Sequence, residues 1–339
     1  MSVENILRDK IDMNKKERLM AAIAGEKVDR VPVSAWRHQP VDDQNSDAFA
    51  AATLAFQRDF DFDFVKVTPA SSYCLTVWGA TSYWKGNPHG TRDYGKAVIQ
   101  SPDDWSKLSV LDPHAGQMGE IIRGLELIGK GLGDSTPFIQ TVFSPMTQAR
   151  NLVGAEELLL HIRLHPEVIK EAFQVITDQT IRFVEAARET GISGIFYALQ
   201  WASYLDLSES EYREFARSYD LQILQAVDDL WLNVLHLHGN HVMYSLIVDY
   251  PASVLNWHDR ETGPSLSDGL KLWPNAVCGG IRQEETLVQG NPEDIRSEGL
   301  DAIKSTNGRR FVLGTGCVAP IVTPYGNLRA LRDLVDLDQ

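Results

Sequence analysis

The chain has 339 residues, of which 43% are hydrophobic and 23% charged, a composition typical of a soluble globular protein with a large core. Its formal net charge of −14 argues against non-specific nucleic-acid binding, which needs a basic surface to neutralise phosphates. No apolar run approaches the roughly 20 residues that span a bilayer, and residues 1–20 lack the apolar core of a signal peptide. The three cysteines are far apart, which makes a disulfide framework unlikely. The sequence therefore predicts a cytoplasmic protein with no nucleic-acid or membrane partner.

Eight apolar segments are predicted to be β-strands, and each is followed by a helical or loop segment. They are 32–36, 61–69, 137–143, 192–199, 232–235, 253–259, 276–282 and 311–317. Helices are predicted at 14–25, 47–60 (with Ser46 as N-cap), 118–130, 165–190, 209–230, 241–249 and 324–337, and Ser101 and Asn291 each cap another. Strand–helix alternation repeated eight times is typical of a (β/α)8 barrel.

The predicted fold class is therefore α/β, a single TIM-barrel domain over residues 1–339, with an N-terminal extension and a long loop (70–100) after the second strand. A doubly wound open sheet is the competing fold, but no glycine-rich phosphate turn follows the first strand. In a barrel, residues at the carboxyl ends of the strands converge on one mouth. Most residues at these ends can take part in chemistry, which predicts an enzyme: Arg37, His38, Lys66, Thr68, Gln200, His236, His238, His258, Asp259, Arg282 and Cys317.

The stretch WLNVLHLHGNH (231–241) carries the clearest chemical pattern. His236 and His238 lie two residues apart at the end of a strand that Gly239 breaks, so their side chains point to the same face. Two imidazoles on one face suit zinc, which needs one or two further ligands. Cys317, at the end of the eighth strand, faces the same mouth and could share the ion. The alternatives are histidines that cap a strand and a cysteine buried as a small hydrophobe.

Five segments are similar to motifs of one known family. They are ERLMAAIAGEKVDRVPV (17–33), DFVKVTP (63–69), FSPMTQARNLVG (143–154), VLHLHGN (234–240) and GTGCVAPIVTPYGNLRAL (314–331). Through them the chain resembles the uroporphyrinogen decarboxylase superfamily, which contains that decarboxylase and cobalamin-dependent methyltransferases. The resemblance covers nearly the full length and implies the barrel fold. The decarboxylase members also imply a homodimer.

Within that superfamily, methyltransferases that move a methyl group from a corrinoid to a thiol carry an H-x-C zinc motif and a late cysteine. His236 matches the histidine and Cys317 the late cysteine, whereas His238 stands where the first cysteine is expected. The resemblance thus implies a zinc-dependent methyltransferase or demethylase with these three residues as ligands and a small-molecule substrate. It also implies that a separate corrinoid protein carries the methyl group, because no cobalamin-binding segment is recognised in the chain.

Two other functions remain open. A cofactor-free uroporphyrinogen decarboxylase would use Arg37 to hold substrate carboxylates and Asp63 to hold pyrrole N–H groups, but the second arginine and the tyrosine of that pattern are replaced here. The HxH pair also has no part in that mechanism, so methyl transfer is the preferred prediction. The third function is a non-catalytic protein that binds a corrinoid or tetrapyrrole.

Arg37, Asp63 and His258 are the predicted catalytic residues, which would orient the substrate and handle protons. His258 and Asp259 are neighbours on a strand and point to opposite faces, so only one can serve the site, and His258 is preferred. Lys66 is placed inside the barrel, either facing substrate or in a buried ion pair with Asp63. The predicted substrate-binding residues are Arg37, His38, Lys66, Gln200, Trp201 and Arg282.

Overall fold

The computed structural model describes residues 12–336. Its strands are β1 (Val65–Val67), β2 (Ser82–Tyr83), β3 (Asp93–Tyr94), β4 (Phe138–Phe143), β5 (Gly194–Leu199), β6 (Val234–Leu237), β7 (Val254–Trp257), β8 (Ala276–Ile281) and β9 (Phe311–Thr315). Its α-helices are α1 (Lys15–Ala24), α2 (Ser46–Phe60), α3 (Gly116–Leu132), α4 (Pro145–Val153), α5 (Ala155–Leu164), α6 (Pro166–Arg188), α7 (Glu209–Tyr212), α8 (Ser218–Gln225), α9 (Leu266–Leu272), α10 (Pro292–Thr306) and α11 (Tyr325–Leu334). Within this range, no helix is both long and apolar enough to cross a membrane.

Seven strands form one curled parallel sheet in the order β1-β4-β5-β6-β7-β8-β9. Every residue of these strands is buried, as expected for a parallel sheet that is covered on both faces. Because neighbouring strands are parallel, their carboxyl ends lie at one edge, and the functional side chains collect there. The predicted α/β architecture is confirmed at this level.

The segment predicted as the first strand, 32–36, is a single parallel bridge between Val33 and Leu313 rather than a strand. Its backbone still contacts both edges of the sheet. Leu313 N–H donates to Pro32 at 2.8 Å, and Asp63 N–H donates to Val33 at 2.9 Å just before β1. Pro32 has no N–H to donate, which limits the ladder that this segment can form.

Two predicted helices are shorter than expected. The helix predicted at 209–230 is α7 and α8 joined by a π-helical turn, and it ends at Gln225. The side-chain amide of Asn233 donates hydrogen bonds to the carbonyls of Val227 and Leu230 at 2.7 and 3.1 Å, which holds the chain in turns there. The helix predicted at 241–249 is only a 3₁₀ turn, Tyr244–Leu246, because residue 242 instead bridges to Ser203.

Of the predicted helix caps, Ser101 and Asn291 are confirmed and Ser46 is wrong. Asn14 and Asn291 cap α1 and α10, whereas α2 is capped by Asn45, whose side chain accepts from Ala48 N–H, and not by Ser46. The short helix expected after Ser101 is a 3₁₀ turn, Pro102–Lys107. The predicted N-terminal extension falls mainly on residues 1–11, and the last residue of the predicted terminal helix is 337; both lie outside the described residues.

The segment 68–115 lies between β1 and α3 and includes the antiparallel hairpin β2–β3. Arg92 fixes this hairpin to the body of the protein. Its Nη1 donates to the carbonyl of Pro40 at 2.7 Å, and its Nε donates to the hydroxyl of Ser82 at 3.0 Å. The hairpin is therefore held beside the carboxyl end of β1, next to the site described below.

Asp63 precedes β1 and lies at the opposite end of the sheet from those carboxyl ends. Its carboxylate is fully buried and pairs with Arg18 at 2.8 Å and Arg30 at 2.7 Å. It also accepts the N–H of Val33 at 2.7 Å. This arrangement ties α1 and the 30–34 segment to the start of the sheet, so the structure assigns Asp63 a part in folding.

We predict that Asp63→Asn lowers the free energy of unfolding by about 3 kcal/mol, because two buried guanidinium groups lose one counter-charge, while Arg18 keeps Asp29 and Arg30 keeps Asp336. Chemical denaturation measures this change. Asp268→Asn, which breaks the exposed Lys271–Asp268 pair, is the matched control and should change stability by less than about 1 kcal/mol. Equal effects from the two variants would contradict the assignment.

Candidate functional site

The carboxyl ends of β6, β7 and β9 bring four potential metal ligands together. His236, His238, His258 and Cys317 each offer one donor atom, and these atoms all lie within 4.8 Å of one another. Cys317 Sγ is 3.7 Å from His236 Nε2 and 3.5 Å from His238 Nδ1. His258 Nε2 is 3.4 Å from His238 Nδ1. We call these four residues the His/Cys cluster, and it could hold a metal ion.

The cluster depends on Asn256, which sequence reasoning missed. Asn256 lies on β7 in register with His236 on β6, and its Oδ1 is 2.7 Å from His236 Nδ1. Its Nδ2 donates to the carbonyls of Cys278 and Thr315 at 2.9 and 3.0 Å, so the amide oxygen must be the group that faces His236. His236 therefore carries its proton on Nδ1 and turns the lone pair of Nε2 toward Cys317.

Gly316 allows the turn after β9, which carries Cys317, to pack against the end of β7, which is followed by His258. A Cβ on Gly316 would lie 2.8 Å from His258 Cα and 2.9 Å from the carbonyl oxygen of Trp257. Any side chain there would push the turn after β9 away from the end of β7. The GTGC segment thus needs this glycine to bring Cys317 to His258.

The environment of the cluster favours a thiolate at Cys317 and a neutral ring at His236, whereas the Cys317 thiolate raises the pKa of His258 despite its burial. Burial raises the pKa of Cys317, but His238 and His236 lower it by more, and the result lies well below the usual thiol value. Burial lowers the pKa of His236, and the Cys317 thiolate offsets only part of that effect. A thiolate and neutral imidazoles are the protonation states that bind metal ions.

A cavity of about 430 Å³ opens over the cluster. Its apolar wall includes Phe143, Phe196 and Ala198, and Phe196 stacks on the ring of His236 with the centroids 5.1 Å apart. The volume suits a small molecule. Three predicted substrate-binding residues line this cavity: His38, Lys66 and Gln200.

Lys66 does not form the ion pair with Asp63 that the sequence left open. Its Nζ donates to the hydroxyl of Thr68 at 3.2 Å and lies 4.3 Å from the centroid of the Phe196 ring. Asp63 is instead engaged with arginines at the other end of the sheet. Lys66 is therefore available to the cavity.

The other predicted site residues lie elsewhere. Arg37 packs its guanidinium over the ring of Phe56 on α2, 5.0 Å from its centroid, outside the cavity lining. Trp201 is buried in the apolar core. Arg282 pairs with Glu298 and with Glu285, so its charge is already neutralised. Asp63 is not brought to the cavity either, because it stands before β1 rather than after it.

His258 does face the site, in agreement with the preference for it over Asp259. The structure places it inside the His/Cys cluster, whereas the sequence interpretation made it an acid or base. The available signal was its position, because His258 ends the strand next to the one that carries the HxH pair. Asp259 points away, and its Oδ1 accepts the N–H of Gly280 at 3.1 Å.

The model of the family described as Uroporphyrinogen decarboxylase (URO-D) matches residues 42–337. The chain belongs to this family. The methylcobamide:CoM methyltransferase MtaA of Methanosarcina barkeri is 24% identical over 93% of this chain and 96% of its own length. The uroporphyrinogen decarboxylase of Chlorobaculum tepidum is 26% identical over 70% of each chain.

A solved structure titled as a methyltransferase from Methanosarcina mazei superposes with a TM-score of 0.84 at 21% identity, covering 96% of this chain and 99% of that one. A B12-independent methionine synthase from Shewanella gives a TM-score of 0.58 at 11% identity, over 90% and 92%. These likenesses support the TIM-barrel-like fold. The expected superfamily is confirmed by the family match. The expected resemblance to its methyltransferases is also confirmed, because the relatives that match nearly end to end are named methylcobamide:CoM methyltransferases.

We predict that Asn256→Ala weakens binding of a divalent ion such as cobalt(II) by about 10–100-fold, because His236 loses the group that fixes its tautomer. Competition against a chelator of known affinity measures this. Asn256→Asp keeps an acceptor for Nδ1 and should recover part of the affinity, although it loses both donated bonds.

Asn275→Ala is the control, since the Asn275 amide donates only to the carbonyl of Ala252, away from the cluster. If Asn256→Ala bound the ion as tightly as Asn275→Ala does, Asn256 would have no part in positioning His236.

Proposed function

We propose that this protein is a zinc-dependent methyltransferase or demethylase, in which His236, His238 and Cys317 hold the metal beside a small-molecule cavity. The observation that carries the proposal is the convergence of these three residues, with His258, at the floor of that cavity. Relatives named as methylcobamide:CoM methyltransferases match almost the whole chain, which supports the same class of reaction.

The donor set fits zinc. Zinc–nitrogen bonds of about 2.0 Å and zinc–sulfur bonds of about 2.3 Å at a tetrahedral angle separate two nitrogens by roughly 3.3 Å and a nitrogen from a sulfur by roughly 3.6 Å. The cluster has 3.4 Å between His238 and His258, and 3.5 and 3.7 Å from Cys317 to His238 and His236. The thiolate of Cys317 and the imidazoles of His236 and His238 are also ligand types that zinc prefers.

Bound zinc would supply Lewis acidity and favour the thiolate form of a substrate thiol or polarise the heteroatom of a methyl donor. The protein residues set the conditions for this. Asn256 holds His236 in the ligating tautomer, and the stacked ring of Phe196 excludes water on one side. Lys66 and Gln200 line the space in which the substrate lies. The imidazole of His238 in place of a second thiolate leaves the cluster less negative, which strengthens the Lewis acidity of the bound metal.

The methyl carrier is proposed to be a corrinoid on a separate protein. The relatives of similar length carry methylcobamide in their names, which supports a corrinoid as the other reactant. The cavity of about 430 Å³ opens at the mouth of the sheet, where a partner could present a methyl group. The small molecule would then reach the same point from within the cavity.

The decarboxylase alternative receives less support. It relies on Arg37 and Asp63 to hold the substrate, and these residues lie beside α2 and before β1, away from the cavity. It also leaves the His/Cys cluster without a function. The decarboxylase relatives match a smaller share of the chain, 70% rather than 93%.

The protein purified without chelator or affinity tag is expected to contain about one zinc per chain by elemental mass spectrometry. His238→Ala and Cys317→Ala should each lose most of the metal. His258→Ala should retain it, because three protein ligands suffice for a catalytic zinc site. Cys278→Ala is the control for Cys317→Ala, since both cysteines are buried but only Cys317 belongs to the cluster. A wild-type chain that neither contains nor takes up zinc would remove this basis of the proposal.

Zinc-loaded protein is also expected to demethylate methylcobalamin in the presence of a suitable thiol. The thiolate takes the methyl group and forms a thioether, while the corrinoid keeps the bonding electron pair as cob(I)alamin, visible by its absorbance. Under anaerobic conditions, 2-mercaptoethanesulfonate and 3-mercaptopropionate are the first acceptors to test. His238→Ala should lower the rate by at least about 100-fold, since the metal activates the nucleophile. A rate that does not depend on His238 or on zinc would contradict the proposed mechanism.

A further inference from the structure

The cavity over the cluster is basic although the chain as a whole is strongly acidic. Its lining includes Lys66, Arg92, His38 and His89, and among its lining residues the sole carboxylate is Glu284. Glu284 lies at the rim, where His89 is 3.6 Å away. The interior therefore carries basic groups without a carboxylate, in a protein of net charge −14, and its one acidic side chain is Cys317 of the His/Cys cluster.

Lys66 is the clearest of these basic groups. It is 5% exposed, and no carboxylate pairs with it among residues 12–336. Its one hydrogen bond goes to Thr68, whose hydroxyl proton is committed to the carbonyl of Lys66, so the remaining N–H groups of the amine are free. Burial lowers the pKa of Lys66 to about 7. A buried ammonium without a counter-ion is costly, and a ligand of opposite charge removes that cost.

His38 provides a second, independent sign of a missing ligand. It is 9% exposed, lines the same cavity, and its buried Nδ1 has no hydrogen-bond partner in the part of the chain described. Burial, and then the charge of Lys66, lowers the pKa of His38 to about 4. The one anionic neighbour of these two side chains in the cavity is the Cys317 thiolate, which belongs to the His/Cys cluster, and no carboxylate pairs with either of them. Two basic side chains placed in this way form the arrangement that an oxyanion stabilises.

We propose that Lys66 and His38 form a subsite for a single carboxylate group, which positions a small carboxylic acid in the cavity with its other end toward the His/Cys cluster. A carboxylate presents two oxygens, one for each of these two groups. The ring of Phe196 contacts both Lys66 and His236, so the subsite and the cluster flank one aromatic side chain. The subsite is inferred from Lys66 and His38 alone, whereas its relevance to methyl transfer rests on the proposed function.

Benzoate and benzamide are suitable probes, because they have nearly the same shape and differ in charge, and both can pack on the rings of Phe143 and Phe196. Calorimetry or ligand-observed NMR measures their binding to the protein as purified. Benzoate is expected to bind at least about tenfold more tightly than benzamide, the effect of a charge-assisted hydrogen bond. Benzenesulfonate and inorganic phosphate test whether another oxyanion is preferred. Tighter binding of either than of benzoate would overturn the carboxylate assignment.

Lys66→Met keeps the length of the side chain and removes the charge. This variant should lose the preference for benzoate and should be at least as stable as the wild type without ligand, because it removes an unpaired buried amine. Lys66→Arg should retain the preference. Lys271→Met is the control, since Lys271 is an exposed lysine paired with Asp268. Benzoate affinity that is equal to that of benzamide, or unchanged in Lys66→Met, would overturn the subsite.

The outcome can be separated from that of the proposed function by repeating the titration with His238→Ala. This variant should lose zinc but keep the benzoate preference, because Lys66 and His38 do not belong to the cluster. A protein that binds benzoate through Lys66 but takes up no zinc would leave the subsite standing and remove the methyltransferase mechanism. A protein that takes up zinc but shows no preference for benzoate over benzamide would remove the subsite and leave the proposed function standing.

Discussion

The hydrogen bond between His236 and Asn256 is the interaction on which the geometry of the site depends. It exists because β6 and β7 are parallel and in a register that places these two residues side by side. Asn256 also donates to carbonyls of β8 and β9, so one buried amide links β7 to three other strands and fixes which nitrogen of His236 faces the cavity. A slip of one residue in this register would turn Asn256 to the opposite face and leave His236 without its acceptor.

The parallel sheet also explains why so much of the site could be predicted from the sequence. Side chains alternate with a period of two, and the carboxyl ends of parallel strands share one edge. These two rules are enough to bring His236, His238 and Cys317 together, although Cys317 is far away along the chain. They also require that only one of His258 and Asp259 faces inward, and His258 was the preferred residue. Neither rule gives a distance between side chains. They could not show that His258 belongs to the His/Cys cluster, where its Nε2 lies 3.4 Å from His238 Nδ1.

The misplaced residues share a different cause. Asp63 was assigned a catalytic role from a family resemblance, but the observed β1 begins only at Val65, which leaves Asp63 at the amino end among arginines. Arg282 does end a strand, yet a carboxylate on α10, Glu298, neutralises it. Such pairings join residues from distant parts of the chain and depend on side-chain reach, which strand periodicity does not encode. Asn256 was missed for a related reason, because a lone asparagine inside an apolar strand has no distinctive pattern.

The charges in the cavity suit its two sides to different ligands, a metal ion on one side and an anion on the other. On the side of the cluster, one thiolate is surrounded by three imidazoles, so a divalent ion would leave a net positive charge there. On the side of Lys66 and His38, basic groups are buried without a carboxylate and retain an unfavourable desolvation energy until an anion binds. A small carboxylic acid satisfies the second side and offers its far end to the first, whereas a neutral molecule of the same shape leaves the amine unpaired. Substrate selection would then come mainly from the cost of leaving Lys66 without a partner, because unpaired buried groups discriminate between ligands more strongly than apolar contacts do.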